Sequence, residues 1–574
     1  MKRLCIGAAV VVLASLSTSA FETPIADAAM RGDSAAVQAL IKKGVDINAA
    51  QGDGMTALHW TSLNGDVTTT ALLLTAGATV DARTRLGQYT PLHLASSRGH
   101  ASVVGRLLEA GSAVAAVTDT GVQPIHLAAQ AGSPEAVTLL LGRGADVNVQ
   151  DRTHGRSPLV FAVAHNRIDV MKVLIAKGAD ITKPTKVIDY VERARNDSTE
   201  RAERNRAITA ATGRGVAEIP SIDPATPAAP GRAGGRGRAG GARGGGAARG
   251  PSDTENIGKQ GGMTALHYAA RDGFAGAVEY LLESGMNVNT PTAGDKSSPL
   301  LVAIVNGQYD IAMTLIEKGA DVNQTNDDLM APLFGVVNTE WALRTWYPQP
   351  TAGHQQRTSY LQLMRRLAAA GADPNTRVKS HIWHAAYNAG RMGVEFTGAT
   401  PFWRAAYALD VEAMKLLVEV GADPNVPTMS FGSAARANDM SGVPAVPLGG
   451  AHIPPFHAAS GVGYGTSRVA QQHQYVHDGW MAAAKYFLEE LGEDVNMRDA
   501  DGFTALHHAA ARGDNAMILY LVKKGANVMA VNRAGQTTVD MANSPEQRTQ
   551  PFPETIKLLE GMGAKNNNNC QACK

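Results

Sequence analysis

Histidine is the residue whose placement first invites a chemical reading of this sequence. Of sixteen histidines, seven crowd into one stretch: His354, His381, His384, His452, His457, His473 and His477. His381 and His384 are three apart and His473 and His477 four apart, so each pair would share one helical face and could hold zinc. No carboxylate or cysteine accompanies either pair at a diagnostic spacing, so polar loop histidines are expected and no metal is assigned. Five of the six tryptophans share the stretch: Trp341, Trp346, Trp383, Trp403 and Trp480. Aromatic side chains supply large contact area and dominate interaction hot spots. Trp341, Trp346, Tyr347, Trp383, Phe396, Trp403, Tyr464 and Tyr475 are therefore the candidate partner-binding surface, against the alternative that they merely pack enlarged loops.

Other chemistry is weaker. Cys570-Gln-Ala-Cys573-Lys574 resembles a c-type haem attachment motif in which lysine replaces the iron-ligating histidine, so a local disulfide or free thiols are expected there. Gly461-Val-Gly-Tyr-Gly-Thr-Ser467 is glycine-rich but lacks the P-loop lysine and follows no strand, which reads as a turn. Neither a G-x-S-x-G elbow nor an H-E-x-x-H pair occurs. No catalytic residue and no cofactor are assigned, and a non-enzyme is expected. Two other classes stay open: an electron-transfer accessory protein using Cys570 and Cys573, and a metal-dependent enzyme built on the histidine-rich insertions.

The elements that must carry these residues repeat. Gly54-Met-Thr-Ala-Leu-His, Gly87-Gln-Tyr-Thr-Pro-Leu-His, Gly121-Val-Gln-Pro-Ile-His, Gly262-Met-Thr-Ala-Leu-His and Gly502-Phe-Thr-Ala-Leu-His open successive units. Closing glycines at 44, 77, 111, 144 and 178 recur every 33 or 34 residues, and so do 285 to 319 and 492 to 525. Thr56, Thr90, Thr264 and Thr504 suit helix caps, and Pro91, Pro124 and Pro158 suit first helical positions. Small pairs such as Ala128-Ala129 and apolar runs such as Val137-Thr-Leu-Leu-Leu predict a helical hairpin in each unit, closed by a left-handed glycine and an Ala-Asp-Val-Asn turn.

This pattern resembles the ankyrin-repeat family, whose T-P-L-H-x-A signature and 33-residue period it matches several times. The resemblance implies an all-α solenoid of stacked helical hairpins with β-turn fingers, about twelve units between residues 24 and 565, used as a protein-binding surface. It also implies that His59, His93, His126, His267 and His507 hydrogen-bond neighbouring turns.

The 574 residues exceed what one core supports, and the formal charge of +1 falls to about −1 without Lys2 and Arg3, so no global field favours nucleic acid or anionic lipid. Lys2-Arg3, an apolar run from Leu4 to Leu16 and Thr18-Ser-Ala predict a secretory leader over 1–20, with Cys5 too early for lipid anchoring. The expected order is an array of about five repeats at 21–185, a Pro/Ala/Gly/Arg linker at 186–260, an array of about seven repeats at 261–565, and a tail at 566–574 with the CxxC. A helix is expected at Ile188 to Arg206; Arg232, Arg236, Arg238, Arg243 and Arg249 read as part of a flexible tether rather than a polyanion site. Extra residues concentrate at 339–480. Thr339 to Thr358 and Ser460 to Gly479 fall between helices, whereas Arg377 to Gly398 and Val426 to Ile453 fall in fingers. The expectation is an exported, periplasmic or secreted, monomeric scaffold for a protein partner, with no membrane span after leader removal.

Overall fold

The computed structural model describes residues 23–212, 253–342, 352–379, 394, 396–431, 439, 441–463, 475–543 and 550–569. Two compact units divide after Asp180. In the first, the inner helices Pro24–Met30, Ala57–Asn64, Pro91–Ser97, Pro124–Ala131 and Pro158–Val163 stack in chain order, each followed by an outer helix such as Val67–Thr75 or Pro134–Gly142. In the second, Ala265–Asp272, Pro299–Val305, Pro332–Glu340, Pro401–Tyr407, Pro455–Ala459, Ala505–Arg512 and Thr538–Ala542 do the same. The class is an all-α repeat solenoid, and the strands are two short ribbons. No helix among the described residues is long and apolar enough to cross a membrane.

Many of the inner helices start on a side-chain cap, though Pro24–Met30, Pro332–Glu340 and Pro455–Ala459 do not. Thr56, Thr90, Ser157, Ser298 and Thr400 accept the backbone N–H three residues on, a contact that contributes about 1 kcal/mol. Where that third residue is histidine, the cap is reciprocal. His59, His93, His126 and His267 accept through Nδ1 the N–H of residues 56, 90, 123 and 264 at 3.0–3.2 Å. An accepting Nδ1 leaves the proton on Nε2, which then donates to a carbonyl of the next finger: Tyr89, Val122, Arg156 or Ser297, at 3.1–3.2 Å. One buried imidazole thus fixes a helix start and ties it to the following unit.

Fingers close on a single backbone bond, such as Thr84 N–H to Tyr89 O at 2.9 Å or Thr118 N–H to Val122 O at 3.0 Å. The long insertions grow from that same bond. Thr185 N–H donates to Met263 O at 2.9 Å, Val378 to Ala399 at 3.1 Å and Thr428 to Ile453 at 3.1 Å. Two of them extend into antiparallel ribbons, Val187–Asp189 with Lys259–Gly261 and Met429–Phe431 with Leu448–Ala451. Asp189 and Lys259 therefore stand on the two arms of one elongated finger, and the helix after the first strand runs Tyr190–Thr212, beyond the expected end at Arg206.

Small side chains let the layers approach. Ala128, Ala129, Ala269, Ala270, Ala509 and Ala510 are fully buried between inner helices, while Val137, Leu140, Val170 and Leu174 seal the outer ones. Gly144 ends its helix at φ +89, a conformation only glycine adopts without strain. Asparagines of the closing turn add a second rung: Asn289 Nδ2 donates to Gly319 O at 3.3 Å and its Oδ1 accepts from Asp321 N at 2.7 Å.

Burial lowers the imidazoles of His93, His126 and His267 from an ordinary 6.5 to about 4, partly offset by the carbonyls they bond. These rings stay neutral in the fold while the unfolded chain takes up protons below 6.5. Stability is therefore full above that pH and falls as pH drops toward 4, by about 1.4 kcal/mol per pH unit for each such histidine. Urea unfolding at pH 7, 5.5 and 4.5 is expected to show this steep loss, which His93→Leu would make shallower.

Candidate functional site

The regular signature changes at Thr400-Pro-Phe-Trp. Trp403 stands where other units place histidine and makes the bond to the next finger, its Nε1 donating to Ile453 O at 2.9 Å, but as a donor only it cannot take the N–H of the cap. It is fully buried, stacked on Tyr407 at 5.3 Å and edge-on to Phe396 at 5.5 Å. Phe396 is only 1% exposed. Both were candidates for a partner surface, and both are corrected: their aromatic area fills a layer interior that elsewhere is filled by leucine and alanine.

The next residue, Arg404, is equally buried. Its Nε donates to Asn338 Oδ1 at 3.0 Å and its Nη2 to the carbonyl of Trp341, so it closes the end of helix Pro332–Glu340 where the 339–358 insertion begins. Asp410 holds the other side. Its Oδ2 accepts Trp341 Nε1 at 2.9 Å and Tyr360 Oη at 2.8 Å, while its Oδ1 caps helix Val411–Glu419 through Ala413 N at 3.0 Å. Burial, the adjacent charge and the hydrogen bond of Asp410 raise the Tyr360 hydroxyl, and burial raises the Glu340 carboxyl.

A second insertion reaches the same turn. Val476 N–H donates to Ala408 O at 2.9 Å, bringing Tyr475 and Trp480 to the edge that already holds Trp341 and Tyr360. Tyr475 and Trp480 lie 5.4 Å apart, and the Arg512 guanidinium sits 3.8 Å over the Trp480 ring. These four aromatics are half-buried rather than core.

On the finger side, the ribbon carrying residues 429–451 folds over the next two fingers. Arg498 Nη1 donates to Ser441 O at 3.0 Å, and the buried Arg533 binds Asp439 and the carbonyl of Pro444. Beneath it lies a cavity of about 400 Å³, lined by apolar Val443, Val446, Phe456 and Met497 with Glu493 and Asp499 among its polar groups. Burial raises the Glu493 carboxyl. Asp499 continues inward toward two buried rings, His457 Nδ1 at 3.6 Å and His508 Nε2 at 3.8 Å from its Oδ2. Burial, with His457, His507 and Arg512 close by, holds His508 neutral.

Of the expected site residues, the structure brings Trp341 and Tyr475 together at one edge and places Phe396 and Trp403 inside. His477 is exposed beside Tyr475. Trp346, Tyr347, Trp383, Tyr464, His381, His384, His473, Cys570 and Cys573 lie outside the described residues, as do residues 1–20, where a leader is expected, and the arginines at 232–249. Sequence reading missed the hub at Asp410 and the meeting of His457, Asp499 and His508. Only the register was available as a signal: Thr400-Pro-Phe-Trp aligns with Thr90-Pro-Leu-His.

Removing Asp410 strips a helix cap and leaves two aromatic donors without their acceptor. Asp410→Ala is expected to lower stability by about 3 kcal/mol in urea unfolding and to shift tryptophan fluorescence as Trp341 is released. An effect under about 1 kcal/mol would contradict the hub.

Comparison with known proteins agrees with the geometry. Family models described as ankyrin repeats match residues 25–117, 69–151, 112–185 and 248–326, and another matches 472–522. The mouse B-cell lymphoma 3 protein homolog is 43% identical over 61 residues, which is 11% of this chain and 14% of that protein. The Caenorhabditis elegans ankyrin repeat and KH domain-containing protein mask-1 is 28% identical over 205 residues, 33% of this chain and 7% of the relative. The Arabidopsis thaliana E3 ubiquitin-protein ligase KEG is 27% identical over 313 residues, 49% of this chain and 18% of the relative. The matched stretches thus span under a fifth of each relative's length. With the capped histidines bridging unit to unit, the period of the closing glycines and these matches, the chain belongs to the ankyrin-repeat family.

Proposed function

We propose that this chain is an exported scaffold that binds a protein partner through the insertions at 341–480. Ankyrin repeats themselves imply protein–protein interaction, and the finer reading rests on one observation. Trp341, Tyr360, Tyr475 and Trp480 gather half-buried at the edge where two insertions leave the stack, whereas Phe396, Trp403, Tyr407 and Phe456 are buried. Half-buried tryptophan and tyrosine keep one apolar face for a partner while their polar atoms stay anchored. By sequence position, Trp346, Tyr347, Trp383 and Tyr464 fall in the same two insertions or the finger segment between them, and the proposal includes them on that ground alone. Export is supported by the basic, apolar and small-residue order of residues 1–20.

Crosslinking in the native host followed by mass spectrometry tests both parts. The wild-type chain is expected to lack its first 20 or so residues and to capture a discrete partner. Tyr475→Ala with Trp346→Ala and Trp383→Ala is expected to lose at least about 10-fold of that capture with unchanged circular dichroism. Unchanged capture would move the surface elsewhere, and an intact Met1 on the mature protein would end the export reading.

A further inference from the structure

We propose that His457, Asp499 and His508 form a three-ligand site for a divalent transition-metal ion of the zinc class. His457 is fully buried and His508 and Asp499 are each 5% exposed. Their atoms Nδ1, Nε2 and one carboxylate oxygen lie within 4.8 Å of one another. Neither imidazole nitrogen has a hydrogen-bond partner, and the separations of 3.6 Å and 3.8 Å from Asp499 Oδ2 are too long for such bonds. A tetrahedral ion with bonds of about 2.0–2.2 Å holds its donors about 3.4 Å apart, so the two separations from Asp499 need close by only a few tenths of an ångström, and the two rings approach each other from within 4.8 Å.

The frame explains why these atoms are orphaned. In other units the capping threonine occupies the histidine Nδ1 through its N–H and its hydroxyl, as Thr90 does for His93 at 3.2 Å and 2.8 Å. Pro454 stands in that place before His457 and supplies neither group. His457 Nε2 still faces a carbonyl, Met497 O, at 3.0 Å. The proton therefore belongs on Nε2, and Nδ1 presents a lone pair to an anionic oxygen. Two acceptors facing each other in a buried site call for a cation between them, and a ligating histidine whose other nitrogen donates to a backbone carbonyl is the arrangement metal sites use.

The partners depart from the repeat in the same sense. His508 occupies the position held by Trp60, Leu94, Leu127 and Tyr268 in sister units, none of which carries a metal-ligating nitrogen or carboxylate. Asp499 occupies the finger position of Thr84 and Asp151. The second oxygen of Asp151 is neutralised by Arg156 Nε at 2.8 Å, but the residue corresponding to Arg156 is Phe503, whose ring stacks on His508 at 5.5 Å. Asp499 Oδ1 is satisfied by the N–H groups of Asp501 and Phe503 at 3.0 Å and 2.9 Å, which leaves Oδ2 for the ion. Three protein ligands leave a coordination position for water or another ligand.

The test is calorimetric titration of the full chain, stripped with chelator, using zinc chloride, with the absorption of the cobalt form as a second readout. One tight zinc equivalent and a tetrahedral cobalt spectrum are expected. His508→Leu and Asp499→Thr place residues that sister units already carry. Each is expected to weaken zinc binding at least about 100-fold while retaining the helical circular dichroism. Pro454→Thr keeps all three ligands but restores donors for Nδ1, and a loss of about 10-fold is expected. Zinc uptake that is absent in the wild type, or equal in the wild type and both ligand variants, overturns the site.

Discussion

A buried imidazole that accepts at one nitrogen and donates at the other is the contact on which the rest of this protein depends. The paired helices, of five to ten residues, are too short to persist alone in water. Inner helices that carry the histidine gain a fixed start when it takes the N–H of the cap, and the next finger gains a partner when the same ring donates to it. The second bond exists only when the following unit is in place. The apolar term has a related character, because the helix carrying the fully buried Ala128 and Ala129 packs against the inner helices before and after it as well as against its own outer helix. Buried area and satisfied polar atoms therefore appear together as layers are added.

That dependence also decides where extra sequence can enter. In the second unit, insertions leave either from the finger, beyond the bond that closes it, or from the turn between inner and outer helices. Both points lie outside the packed layer, so the base of the hairpin is unchanged whether the finger holds four residues or many. Function is then left to what is added at the edges. One edge carries the aromatics around Asp410; the fingers carry the elongated ribbon, its cavity and the His457, Asp499 and His508 cluster.

The regular part of the fold was legible because cap, proline, histidine and glycine sit at fixed offsets, each with its own physical reason. Trp403 was misread for an instructive cause. Tryptophan suggests a hot spot by composition, yet its register after Thr400 puts it in the histidine place, where an indole N–H can make the same bond to the next finger. Asp410 could not be found by spacing, since its partners Trp341 and Tyr360 lie 69 and 50 residues away. The His457 cluster was hidden for the same reason, and its only local trace is Pro454 where a capping threonine is usual.

Hydrogen exchange on the full chain with His93→Ala tests the central claim most directly, because this ring touches its own cap and the finger after it. Protection is expected to fall in Pro91–Ser97 and in the flanking layers Ala57–Asn64 and Pro124–Ala131 together. A loss confined to Pro91–Ser97 would mean that the units hold themselves up singly, contrary to this account.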